Sequence, residues 1–122
     1  MSNPTIKHTF TSRFEGIERP KLRMEHTPGW CWEDCGDYDG SSRMLFHTTN
    51  EEFGMEFTVI ENRGSDVSIG LLPTDWDWGI DTAEELLKLG DHVNDLQQWL
   101  DDCAAVTAWA REHEGEADHR DR

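Results

Sequence analysis

The chain has 122 residues, with 26 Asp or Glu against 11 Lys or Arg and a formal net charge of -15. That balance repels phosphate backbones and anionic membrane surfaces, so direct nucleic-acid or membrane binding is not expected. Hydrophobic residues make up 35% of the chain, and six Trp and five Phe add large buriable area, enough for one domain with one modest core.

The N-terminal residues are polar, without the apolar run of a secretion signal, and no segment approaches the length of a membrane span. Three Cys is an odd count. Together these predict a cytoplasmic protein with reduced thiols.

Thr5 to Phe14 alternates, with Ile6, His8 and Phe10 on one side and Lys7, Thr9 and Thr11 on the other, the period of a half-buried strand. After Pro20, Lys21 to Glu25 reads as a short strand with Leu22 and Met24 inward. The thin basic cluster Arg13, Arg19, Lys21 and Arg23 lies in this region.

Residues 26 to 42 read as loop, from Pro28, Gly29, Gly36, Gly40 and Ser41-Ser42. The window 26 to 47 holds His26, Cys31, Cys35 and His47. Two thiolates and two imidazoles suffice for a closed tetrahedral zinc site, and a closed site is structural rather than catalytic. The spacing differs from the usual Cys-x2–4-Cys…His-x3–5-His fingers. Glu33, Asp34, Asp37 and Asp39 lie close by as oxygen donors, and His8 is a further ligand candidate. The plainer reading is a loop held by burial of Trp30 and Trp32, with Cys as small hydrophobes. A calcium loop fails, because the twelfth position counted from Cys35 is Phe46.

Arg43 to Thr48, Phe53 to Glu61 and Val67 to Leu72 read as three strands of an antiparallel meander, with turns at Thr49–Glu52 and Asn62–Ser65. Asp75, Trp76, Asp77 and Trp78 follow. They suit either a recognition surface for a basic partner or a cover over the junction between sheet and helix.

Thr82 and Glu85 have capping-box spacing. Beyond them Leu86, Leu89, Val93, Leu96, Leu100 and Cys103 form a helical stripe, widened by Trp99, Val106 and Trp109; Gly90-Asp91 admits a break or a kink, which the sequence leaves open. Cys103 is expected in the core. Asp91, Asp95, Asp101 and Asp102 lie off that stripe. Asp91, Asp95 and Asp102 share a face at intervals of four and seven residues, either a solvated surface or a carboxylate array imitating DNA phosphates. From Glu114 the chain is charged and is expected to be a disordered tail.

The order Pro28-Gly-Trp30-Cys31, then His47, then Thr82-Ala-Glu-Glu-Leu-Leu resembles a group of small actinobacterial and actinophage proteins of uncharacterised function. The resemblance covers about residues 26 to 110. That group often carries a Cys four residues before the Trp-Cys thiol. Here Thr27 holds that position, with His26 one residue earlier. The resemblance implies no activity.

The sequence therefore predicts an α+β domain over residues 1 to 113 and a tail over 114 to 122. The domain is a three- to five-stranded antiparallel sheet with one long C-terminal helix and a zinc-stapled loop. No esterase, zincin, P-loop, dinucleotide or deaminase motif is present. The expected role is a non-enzymatic, zinc-binding protein that engages a basic, nucleic-acid-binding protein partner in the manner of a phage-type inhibitor or host regulator. The alternative is a small metalloenzyme with an open zinc site at Cys31, Cys35 and His47.

Overall fold

The computed structural model describes residues 12–31, 42–63, 67–74 and 82–120, with side chains described up to Glu114. Four strands form one antiparallel sheet in the order β1-β2-β3-β4: β1 (Gly29–Trp30), β2 (Ser42–Asn50), β3 (Met55–Asn62) and β4 (Val67–Pro73). A short helix α1 (Ala83–Leu89) leads through one 3-10 turn at Gly90–His92 into the long helix α2 (Val93–Arg120). The α+β architecture expected from the sequence is the one observed.

The β2–β3 hairpin follows from its turn chemistry. The Asn50 side chain accepts from the Phe53 amide at 2.9 Å, and Gly54 adopts φ 63, which a side chain would disfavour. Along β3 the period of two holds: Phe57, Val59 and Glu61 are buried, and Glu56, Thr58 and Ile60 alternate with them. Strand β2 departs from strict alternation. Met44 pairs with Ile60 and Phe46 with Val59, so Leu45 is an extra residue between the pairs, and Met44, Leu45 and Phe46 are all buried.

Helix α2 crosses the sheet diagonally. Near its start, the Trp99 indole donates to Thr48 Oγ1 on β2 at 3.1 Å. Near the last described side chains, Arg111 donates to the Val67 carbonyl on β4, and Glu114 accepts from the Val67 amide, both at 3.0 Å. Between these ends Trp99, Cys103, Val106, Trp109 and Ala110 pack on Phe46, Phe57, Val59 and Val67 to make the core.

Several expectations change. Lys21–Glu25 is not a strand; its Arg23 and Met24 amides donate to Asp102 on α2 rather than to a neighbouring strand. The part of the expected first strand that lies within the described residues, Ser12–Phe14, leads into a turn, where Ile17 donates to the Phe14 carbonyl. Gly29–Trp30, read as loop, pairs with Phe46–His47. Helix α2 runs through Glu114 to Arg120. The Glu114 contact to β4 anchors the turn before Gly115. The predicted apolar stripe is only partly buried, at Leu96 and Cys103 in its later half. A 3-10 turn interrupts the helix at Gly90–His92; Leu86 and Val93 are exposed before the core begins at Leu96 and Trp99, and Leu100 is exposed beyond it.

Candidate functional site

The segment from Glu18 to Pro28 is irregular, yet it is tied to the core at several points. The Asp102 carboxylate accepts from the amides of Arg23 at 2.7 Å and Met24 at 3.0 Å, and from His26 Nε2 at 2.7 Å. The other imidazole nitrogen, Nδ1, meets Thr48 Oγ1 at 2.7 Å. The Trp109 indole donates to the Glu18 carbonyl at 2.8 Å. With Nε2 protonated toward Asp102, Nδ1 accepts from the Thr48 hydroxyl, whose oxygen takes the Trp99 indole proton. Every polar group in that chain is then satisfied.

This placement corrects the expectation for Asp102. It is 2% exposed and does not share the solvated face of Asp91 and Asp95, which remain exposed. A carboxylate with three donors can be buried, whereas an unpaired one cannot. Burial pushes the Asp102 carboxyl upward. The Arg23 amide, His26 and the Met24 amide together outweigh that and hold it below its ordinary value. Next to it, burial first and the Asp102 charge second push the Cys103 thiol up to about 12.

Asp102, His26 and Thr48 have the order of an acid–imidazole–hydroxyl triad. Thr48 is 1% exposed, however, and Trp99 holds its oxygen, so no reacting group can reach it. The chain is a structural tie.

Of the four expected zinc ligands, three lie among the described residues, and His26 is directed away from Cys31 and His47. His26 turns toward α2 and spends both ring nitrogens on Asp102 and Thr48. His47 pairs with Gly29 in the strand register, and its Nε2 meets Glu56 at 2.7 Å. Cys31, whose amide donates to Leu45, continues β1. By strand alternation Cys31 and His47 share the sheet face opposite Trp30 and Phe46, away from α2. The Cys31 thiol donates to the Gly29 carbonyl at 3.3 Å. Among the described residues no group of three or more His, Cys, Asp or Glu side chains is arranged to hold a metal ion. Cys35 lies outside the described residues, as do His8, Glu33, Asp75, Trp76, Asp77 and Trp78.

The basic cluster is dispersed. Arg13 is buried against Glu61, its amide 2.8 Å and its Nε 3.2 Å from Oε2. Arg19 stacks on the Trp30 ring at 4.9 Å, and Arg23 faces Asp101 at 3.7 Å.

Two surfaces stand out. One is an open cleft of about 510 Å3 between the tied segment and β2, with Leu22, Met24, Pro28, Trp30 and Phe46 as apolar walls and Glu25 as a lining carboxylate. The other is the ridge of α1, the 3-10 turn and the start of α2. There Leu86, Leu87, Val93 and Leu100 are exposed, Leu87 to 77%, among exposed Glu84, Glu85, Asp91 and Asp95. No residue of α1 is buried.

Sequence reasoning missed the cleft and the Asp102 tie. An Asp following Trp99 by three residues was the available signal, since that spacing places both on one helix face.

Comparison with known proteins found no matching family model, no matching curated protein and no matching solved structure. Among the described residues no helix is long and apolar enough to cross a membrane.

Proposed function

We propose that this protein is a non-enzymatic binding protein that engages a basic protein partner through the ridge of α1 and the start of α2. One observation carries the reading: α1 exposes Leu86 and Leu87 instead of packing them, in a helix that nonetheless has an N-terminal cap from Thr82. Capping stabilises a helix that the core does not hold. Leu86, Leu87, Val93 and Leu100 offer an apolar centre, and Glu84, Glu85, Asp91 and Asp95 ring it with negative charge. That combination complements a basic surface with an apolar middle, the common anatomy of protein interfaces. A nucleic-acid-binding protein in the cytoplasm fits this chemistry, with the ridge acting as an inhibitor or regulator surface. The carboxylates imitate phosphates only along Asp91 and Asp95. Cross-linking from the ridge in host lysate, followed by identification of the captured proteins, tests the reading. A basic protein lost when Leu86 and Leu87 become Ser supports it; capture that ignores those changes overturns it.

A bound zinc is a second proposal, located on the opposite sheet face. Its support is the shared face of Cys31 and His47, with Cys35 as the natural third ligand. His26 is not part of this set. Three ligands with an open position give the metalloenzyme alternative, and a fourth gives a staple. Metal analysis of protein purified without added metal decides between zinc and none. Less than about 0.2 zinc per chain with free thiols ends the proposal, since a tight structural site stays loaded.

A further inference from the structure

We infer that the cleft beside Trp30 is a binding site for an organic cation with an apolar body, such as an alkylated ammonium or a guanidinium. Its volume of about 510 Å3 lies in the range of small-molecule sites. Its walls combine a Trp, a Phe, a Met and prolines, surfaces that accept flat or branched apolar groups.

The charge of the occupant is set by three observations. Glu25 is the carboxylate of the lining, and no Lys or Arg is among the residues that line it. The Trp30 ring stacks with the Arg19 guanidinium at 4.9 Å from its centroid, so its face suits a positive charge, and a ligand cation there competes with Arg19. The chain as a whole carries -15, which raises the local concentration of cations and lowers that of anions.

The site is also preformed. The segment that walls it is irregular, yet Arg23, Met24 and His26 are bound to Asp102, Glu18 to Trp109, and Gly29–Trp30 to β2. Gly29 has φ 78, and a Cβ there would stand 2.9 Å from the His26 carbonyl, so the turn closes tightly against itself. A ligand entering such a cleft need not order its walls, which favours binding.

The same chemistry has two sources: a free small cation, or an arginine side chain presented by another protein. Titrations followed by the Trp30 indole N–H resonance, assigned through its loss in Trp30→Phe, distinguish them. The probes are benzyltrimethylammonium, N-acetylarginine methylamide, benzyl alcohol and benzoate. The inference expects a cation to perturb Trp30 saturably at or below about 10 mM, with benzoate inert and benzyl alcohol weaker. Tighter binding of benzyltrimethylammonium assigns the site to free cations, and tighter binding of the capped arginine assigns it to protein side chains. Glu25 and Arg19 are both exposed, so Glu25→Gln and Arg19→Ala leave the fold intact. Glu25→Gln should weaken the cation about threefold. Arg19→Ala should strengthen it about threefold, by removing the competing guanidinium from the ring. Benzoate or benzyl alcohol binding as well as the cations, or cation affinity unmoved by both substitutions, overturns the inference. The ridge variants Leu86→Ser and Leu87→Ser lie on another element and leave this readout unchanged, so the two proposals fail separately.

Discussion

Asp102 and His26, 76 residues apart in the chain, are buried partners with Oδ2 and Nε2 2.7 Å apart. The pair joins α2 to the irregular segment that walls the cleft. The same carboxylate also takes two backbone amides. One side chain thus replaces the hydrogen bonds that a strand partner would have supplied to Arg23 and Met24.

Asp102→Ala leaves two amides and one imidazole without their acceptor in a buried place. It should destabilise the protein by about 3 kcal/mol, the usual cost of breaking a buried charged network. Asp101→Ala, whose carboxylate is half exposed and faces the exposed Arg23, should change stability by less than about 0.5 kcal/mol. Urea unfolding of the two variants beside the parent measures the contrast. Equal effects would show that Asp102 holds nothing.

The Asp102 carboxyl is depressed below its ordinary value of 3.8 in the folded protein. At low pH the unfolded chain therefore binds a proton more readily than the native one, and stability rises with pH. The contribution is fully present above about pH 4 and is lost as pH falls through the depressed value. Urea midpoints measured from neutral pH down to about pH 2 should fall less in Asp102→Asn than in the parent. Parallel curves would remove Asp102 from the acid response.

The alternating segments were legible because a period of two survives in β3, where Phe57, Val59 and Glu61 share the buried face. The capping of α1 by Thr82 was legible for a similarly local reason, whereas the interruption at Gly90 was open from sequence alone. What sequence could not show is long-range. Asp102 reads as one more surface acid until Arg23, Met24 and His26 are placed beside it. His26 reads as a ligand until Thr48 and Asp102 occupy both its nitrogens. The leucine stripe suggested a buried face on α1, but which turns lie over the sheet depends on the diagonal crossing of α2.

Gly29→Ala should be costly for two reasons that Gly16→Ala separates. Both glycines have positive φ, 78 and 84, but a Cβ at Gly29 would stand 2.9 Å from the His26 carbonyl, whereas nothing lies within 4 Å at Gly16. Gly16→Ala should cost about 1 kcal/mol from backbone conformation alone, and Gly29→Ala about 2 kcal/mol or more. Thermal unfolding followed by circular dichroism measures both, and equal losses would show that the tight turn relaxes freely.

Cys103 is buried, and its thiol is pushed up to about 12. Thiolate is the reactive form, so the native protein should resist alkylation there at about pH 8. Iodoacetamide treatment followed by peptide mass analysis should find Cys103 modified only after addition of denaturant. Rapid modification in the native state would mean that α2 opens from the sheet at this turn.

The acidic ridge gives the last prediction, and Asp102 must be kept out of its test. Changing Asp91, Asp95 and Asp102 together would unseat the segment before α2 and confuse lost binding with lost structure. Asp91→Asn with Asp95→Asn alters only exposed carboxylates, so stability should stay within about 0.5 kcal/mol of the parent. If a basic partner docks on the ridge, this double change should weaken it and flatten its salt dependence. Exposed charges are screened over about 8 Å at 0.15 M salt, so the parent complex should weaken steeply as salt is added. Leu86→Ser with Leu87→Ser should weaken binding while leaving the salt slope unchanged, because those side chains supply area rather than charge. Calorimetry or surface binding at several salt concentrations separates the two effects. A partner whose affinity ignores salt and both pairs of changes binds elsewhere, and the exposed acids of the ridge then serve solubility alone.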